Sequence, residues 1–354
     1  MNNQPLYIGE KKAKVPMMQG SMGIGISLGG LAGAVAKAGG VGMISTAQIG
    51  FRDKDFERNP FLANLKAMRQ ELKKARQIAP DGIIGFNIMT ALTHYKDYAE
   101  YASRLGADLI VSGAGLPVDL PRYVNGTKTA IAPIVSSKKS AHTIFHYWQK
   151  KFHRLPDLLV VEGPQAGGHL GFTRETLLDY EENSEQYIGE IKEIFAEVKW
   201  WEEQYKKKIP VVVAGGVDTK EKVKTLFQLG ADGVQVGSRF VTTVECDAAE
   251  AYKQQYLSAE KEDIVVIQSP VGMPGRAIRN TWLRQLEEGK KDTITKCYHC
   301  LKKCEPAKIP YCITKALIAA ANGDMENGLV FCGANAYKSK KIETVSEVID
   351  SLLK

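Results

Sequence analysis

One phrase recurs along this chain and restricts its fold more than any other feature: an amphipathic run, a break of small residues, then a short apolar run. AVAKAGGVGMIS (34–45), YASRLGADLIVSG (101–113) and LFQLGADGVQVG (226–237) are three versions of it. The glycine in each is expected to close a helix in a left-handed cap, and the apolar run after it to form a strand. Repeated helix–glycine–strand units build a parallel sheet. Its strands read as continuously apolar because both faces are buried.

Eight such runs occur: 15–20, 41–45, 83–89, 109–113, 130–135, 158–163, 209–216 and 233–237. Helices are predicted between them, for example over 60–78, 94–105, 139–153 and 219–229. Eight units in order close a (β/α)8 TIM barrel more naturally than they build an open doubly wound sheet. The open sheet is the alternative, but its first strand should lead into a G-x-G-x-x-G turn, and Gly23-Ile24-Gly25 is too little of one. We expect a single domain over 1–354, with a barrel core at 15–254. An insertion at 172–206 would follow the sixth strand, and a helical C-terminal cap would cover 255–354. Both additions are expected on the barrel's rim.

Composition narrows the function. With 44% hydrophobic and 25% charged residues and 33 glycines, the chain suits a globular fold rich in tight turns. No run reaches the roughly 18 apolar residues of a membrane span, and the N-terminal stretch lacks the pattern of a signal peptide, so a cytoplasmic protein is expected. The net charge of +7 is spread over predicted helix faces, without an arginine stripe or stacking aromatics. That argues against a nucleic-acid surface and leaves a small-molecule substrate, with a homodimer as a possible assembly.

In such a barrel the strand C-termini form the active-site mouth, and phosphate often binds after strands seven and eight. Here strand seven ends Ala214-Gly215-Gly216 and strand eight ends Gly237-Ser238-Arg239. Glycines let backbone N–H groups approach phosphate oxygens, and the following helix start favours an anion. The alternative is that they only make tight turns. Two such loops at the two expected strands favour phosphate. Strand six ends Glu162-Gly163-Pro164-Gln165-Ala166-Gly167-Gly168-His169. A histidine in a glycine loop at the mouth can reach a ligand and exchange a proton, so His169 is the candidate catalytic residue. Gly20, Ser21, Met22 and Asn87 end the first and third strands at the same mouth, where amides suit a planar hydrogen-bonding ring.

These pieces resemble the FMN-dependent nitronate monooxygenases, formerly 2-nitropropane dioxygenases, and their relatives the flavin-type enoyl-acyl-carrier-protein reductases. The matching segments are PMMQGSMG (16–23), LAGAVAKAGGVGMIS (31–45), GFNIM (85–89), VSGAG (111–115), VEGPQAGGHLG (161–171), VVVAGGV (211–217), GADGVQVGSRF (230–240) and GRAIRN (275–280). The resemblance implies that His169 is the active-site histidine and that Ala214, Gly215, Gly216, Gly237 and Ser238 hold the FMN phosphate. It places Gly20, Ser21, Met22, Asn87, Glu162, Gly168 and Gln235 around the flavin. It implies either oxidation of alkyl nitronates with O2 to a carbonyl compound and nitrite, or NAD(P)H-dependent reduction of an enoyl thioester. A flavin-binding barrel without catalysis is a third reading. The chain reads Pro164-Gln165 after Gly163, where an acidic residue is common at the third position.

Four of six cysteines cluster as Cys297-x2-Cys300-x3-Cys304-x7-Cys312. Four thiolates at short spacing suit a zinc ion or a 4Fe–4S cluster. Reduced thiols packed as small apolar groups are the alternative.

Overall fold

The structure, a computed structural model, describes residues 4–290 and 294–354. A hairpin of β1 (Leu6–Ile8) and β2 (Lys11–Ala13) leads into β3 (Met17–Gln19), the first barrel strand. The other seven are β4 (Val41–Ser45), β5 (Ile83–Asn87), β6 (Leu109–Ser112), β7 (Ala130–Val135), β8 (Leu159–Glu162), β10 (Val211–Ala214) and β11 (Gly233–Val236). All eight pair in parallel, and β11 meets β3 through Val234↔Met17 and Val236↔Gln19 to close the barrel. Every expected strand is present and the open sheet is excluded.

The strands are buried on both faces because helices cover the outside. These are α1 (Gly29–Lys37), α2 (Pro60–Ile78), α3 (Tyr95–Arg104), the short α4 (Leu120–Tyr123), α5 (Lys138–Phe152), α6 (Arg174–Glu182), α7 (Ser184–Tyr205), α8 (Lys220–Leu229) and the short α9 (Ser238–Val241). The small-residue composition of α1 has a direct cause. A Cβ on Gly42 of β4 would stand 1.9 Å from the Ala32 carbonyl oxygen, so helix and strand touch backbone to backbone.

The segment 172–206, expected wholly on the rim, divides in two. Helix α7 belongs to the barrel's outer layer. Its Ile191, Ile194, Val198 and Trp201 are buried in the main core, and Trp201 stacks on Phe145 of α5 with centroids 5.8 Å apart. Only α6 is additional to the βα repeat.

The C-terminal region contains α10 (Glu250–Ser258), α11 (Thr281–Glu287), α12 (Ile313–Ala321) and α13 (Val345–Leu353). To these helices it adds an antiparallel hairpin, β12 (Ile264–Gln268) and β13 (Pro274–Ile278). Strand β13 pairs with β9 (Gly168–His169) in the loop after β8, in the register Gly275↔His169 and Arg276↔Gly168. No helix among the described residues is long and apolar enough to cross a membrane.

Candidate active site

The barrel mouth opens into a cavity of about 250 Å³. All thirteen residues singled out for catalysis or cofactor binding line it: His169, Gly20, Ser21, Met22, Asn87, Glu162, Gly168, Ala214, Gly215, Gly216, Gln235, Gly237 and Ser238. Residues spread over more than two hundred positions meet there because each lies at the C-terminal end of a strand of the same barrel or in the loop that follows one.

The loop after β3 is held from below. Ser27 Oγ accepts from the Met22 backbone N–H at 3.0 Å and from Gln19 Nε2 at 2.9 Å, while Gln19 Oε1 accepts from Met43 N–H at 3.1 Å. Ser21 Oγ, by contrast, is buried with no hydrogen-bond partner. A buried hydroxyl without a partner is costly, and a bound polar ligand would relieve it.

The two glycine loops face each other across the mouth. Gly216 sits at φ +69°, and a Cβ there would strike Gln165 Oε1 at 2.1 Å. At Gly237 a Cβ would meet nothing nearer than Met22 Sδ at 3.8 Å, so the space above it is cavity. This leaves a cradle of exposed backbone suited to phosphate oxygens. Arg239, beside it, does not offer a free charge: its Nη2 donates to Glu343 Oε2 at 2.8 Å and its Nη1 to the Asp218 carbonyl.

His169 is fixed from three sides, and all three come from the C-terminal region. Antiparallel pairing with β13 sets its backbone. Nε2 shares a 2.8 Å hydrogen bond with Ser269 Oγ, and the ring meets Phe331 edge-on with centroids 5.1 Å apart. The hydroxyls of Tyr252 and Tyr256 both donate to the Phe331 carbonyl, at 3.1 and 2.7 Å. Arg276 is buried and donates from Nη1 to the carbonyls of Pro164 and Ala166, pinning the loop that presents the histidine. Gly333 N–H donates to Ser238 Oγ at 3.0 Å, and Ala334 N–H to the Gln165 carbonyl at 3.2 Å. The segment 331–335 therefore completes the wall over both loops. Sequence reading missed Ser269, Phe331, Gly333 and the two tyrosines; the one local hint was the apolar-to-glycine break at 330–333, which resembles a strand ending.

Burial sets the protonation of the two titratable groups. His169 is lowered to about 4, so it is neutral at neutral pH. Glu162, whose backbone carbonyl accepts from Tyr187 OH, is raised to about 7. Two groups that burial shifts toward their neutral forms, in one cavity, are a common mark of a functional site.

The four clustered cysteines lie outside this cavity, in the stretch before and at the start of α12, whereas Cys332 lines it. Among the described residues no three His, Cys, Asp or Glu side chains are arranged to hold a single metal ion.

The fold and the relatives it matches are those of a flavin-dependent barrel oxidoreductase. The chain belongs to the nitronate monooxygenase family, whose model matches residues 5–354. It is 24% identical over 300 residues to a probable nitronate monooxygenase of Bacillus subtilis, covering 79% of this chain and 80% of that one. The matches to two other curated relatives span 66% and 52% of those proteins' length. Among solved structures, FabK from Thermotoga maritima superimposes with a TM-score of 0.71 at 24% identity, over 95% of this chain and 91% of that one. The enoyl reductase domain of MlnA from Bacillus amyloliquefaciens does so with a TM-score of 0.63 at 14% identity, over 95% and 93%. Both show the shared fold.

Proposed function

We propose that the protein is an FMN-dependent oxidoreductase that oxidises small alkyl nitronates with O2 to a carbonyl compound and nitrite. The observation that carries this reading is a neutral, buried His169 aimed into a cavity whose opposite wall is a glycine cradle, in a chain matching the family over nearly its whole length.

Bound FMN would supply the electron acceptor for the nitronate. Backbone N–H groups of Gly215, Gly216, Gly237 and Ser238 would hold its phosphate, and Ser21 Oγ would gain the partner it lacks. Asn87, Gln235 and Glu162 would border the ring. His169 donates a hydrogen bond to a nitronate oxygen without bringing a charge. With a neutral nitroalkane the opposite tautomer, with that nitrogen unprotonated, would accept the proton, and a value of about 4 makes it a weak base.

One observation favours a second reading, reduction of a neutral enoyl thioester. Arg239 is the only Lys or Arg among the residues lining the cavity, and Glu343 already pairs with it. The cavity thus offers hydrogen bonds more than charge. The test is a spectrum of the flavin-loaded protein under anaerobic conditions, followed by a nitrite assay. Bleaching by an alkyl nitronate, and nitrite once oxygen is admitted, support the nitronate reading. Rapid bleaching by NADH or NADPH with no nitrite formed replaces it with the reductase.

A further inference from the structure

Three of the six cysteines differ from the others in setting. Cys246, Cys312 and Cys332 are buried, whereas Cys297, Cys300 and Cys304 are partly exposed. A thiol that serves only as a small apolar side chain belongs in the core, so three partly exposed thiols in one stretch need another explanation.

Local structure gathers these thiols. His299 turns the chain at φ +48° between Cys297 and Cys300, and its N–H points back to Cys297 Sγ at 3.4 Å. Thr314 Oγ1 donates to Cys300 Sγ at 3.1 Å, which sets Cys300 against the first turn of α12, and Cys312 is the N-cap of that helix. Cys297 and Cys300 thus flank one tight turn, and Cys300 and Cys312 both lie at the start of α12, with Cys304 four residues beyond Cys300.

Their spacing distinguishes among metals. Zinc at about 2.3 Å from each sulfur draws four thiolates to within about 3.8 Å of one another. No such convergence exists among the described residues. An iron–sulfur cube needs less convergence, because each thiolate binds a different iron at a different corner. N–H and O–H donors aimed at the sulfurs, as from His299 and Thr314, are also a means of tuning such a cluster.

The location fits as well. Thr93 N–H donates to the Cys300 carbonyl, and Lys302 N–H to the Ala91 carbonyl, which fastens the cysteine stretch to the loop after β5. Met89 in that loop lines the cavity. Leu317, five residues into α12 from Cys312, lines it too, and five residues of helix advance about 8 Å. We propose that Cys297, Cys300, Cys304 and Cys312 ligate a 4Fe–4S cluster beside the flavin cavity.

The test is iron and acid-labile sulfide analysis of the full chain, purified anaerobically and then incubated with ferrous iron, sulfide and a thiol reductant. About four irons and four sulfides per chain are expected, with a broad absorbance that falls on dithionite addition. Cys297→Ser and Cys304→Ser, both at partly exposed positions, should each lose most of the iron while keeping the far-ultraviolet spectrum and the flavin. Cys246→Ala should keep the iron. Absence of iron and sulfide from the reconstituted chain overturns the proposal. So does one zinc per chain without sulfide, or full iron retention in Cys297→Ser. None of these readouts depends on the substrate, so failure here leaves the nitronate reading standing, and the converse holds.

Discussion

The two ends of the barrel are built from the same eight strands and have opposite characters. At the N-terminal end Leu6, Ile8 and Ala13 of the hairpin pack against Met18, Val41, Met43, Ile83 and Leu109, all buried. At the other end Ser21 Oγ lacks a partner, and burial shifts both Glu162 and His169 toward their neutral forms. One end spends its surface on dry packing and the other leaves polar groups waiting for a ligand. A barrel of this type separates stability from chemistry in this way, along its axis.

The sharpest test of that division is His169→Ala. Turnover of the nitronate should fall roughly 100-fold to 10,000-fold, the range associated with positioned acid–base groups, while flavin absorbance and denaturation midpoint stay close to those of the parent. A large loss of stability would show that the mouth is part of the packing after all. At the plugged end, Ile8→Ala should cost about 2–5 kcal/mol in chemical denaturation, with turnover per folded molecule unchanged. Gly237→Ala puts a Cβ into the cavity space, no nearer to protein than 3.8 Å from Met22 Sδ. Flavin affinity should fall markedly, and the flavin-free chain should lose no more than about 1 kcal/mol, as read by flavin titration and denaturation.

The smallest effect is in the pH dependence of the flavin-free chain. Glu162 holds its proton up to about 7 when folded, against an ordinary 4.5. Its contribution to stability is complete below pH 4.5 and is lost as pH rises toward 7. His169 runs the other way: its contribution is complete above pH 6.5 and is lost as pH falls toward 4. In the parent the two slopes oppose each other. Glu162→Gln should leave stability rising from pH 4 to 6.5, and His169→Ala should leave it falling from pH 4.5 to 7. Slopes of the same sign in both variants would refute the assignment.

What could be read from the chain follows the range of the interactions involved. β4 and β7 match the expected runs because a strand buried on both faces is written as uninterrupted apolar residues. The glycines of the mouth were legible for a similar reason, since each lies directly after such a run. The hairpin β1–β2 was not, because two three-residue strands in which only Leu6, Ile8 and Ala13 are buried carry too little periodicity. The pairing of β9 with β13 and the contact of Ser269 with His169 join residues a hundred positions apart, and no local pattern announces them. Helix α7 reads as an addition because its acidic start hides an apolar stripe that begins only at Tyr187.

The pairing of β9 with β13 also bears on the order of events during synthesis. The barrel's last strand, β11, ends at Val236, but the histidine's partner strand and the closing segment at Phe331–Asn335 leave the ribosome much later. A nascent chain can therefore close its barrel while the mouth is still unwalled on one side. Capture of the prosthetic group would then be among the final acts of maturation, and chains truncated before residue 331, which also lack the core residues of α13, should bind flavin poorly.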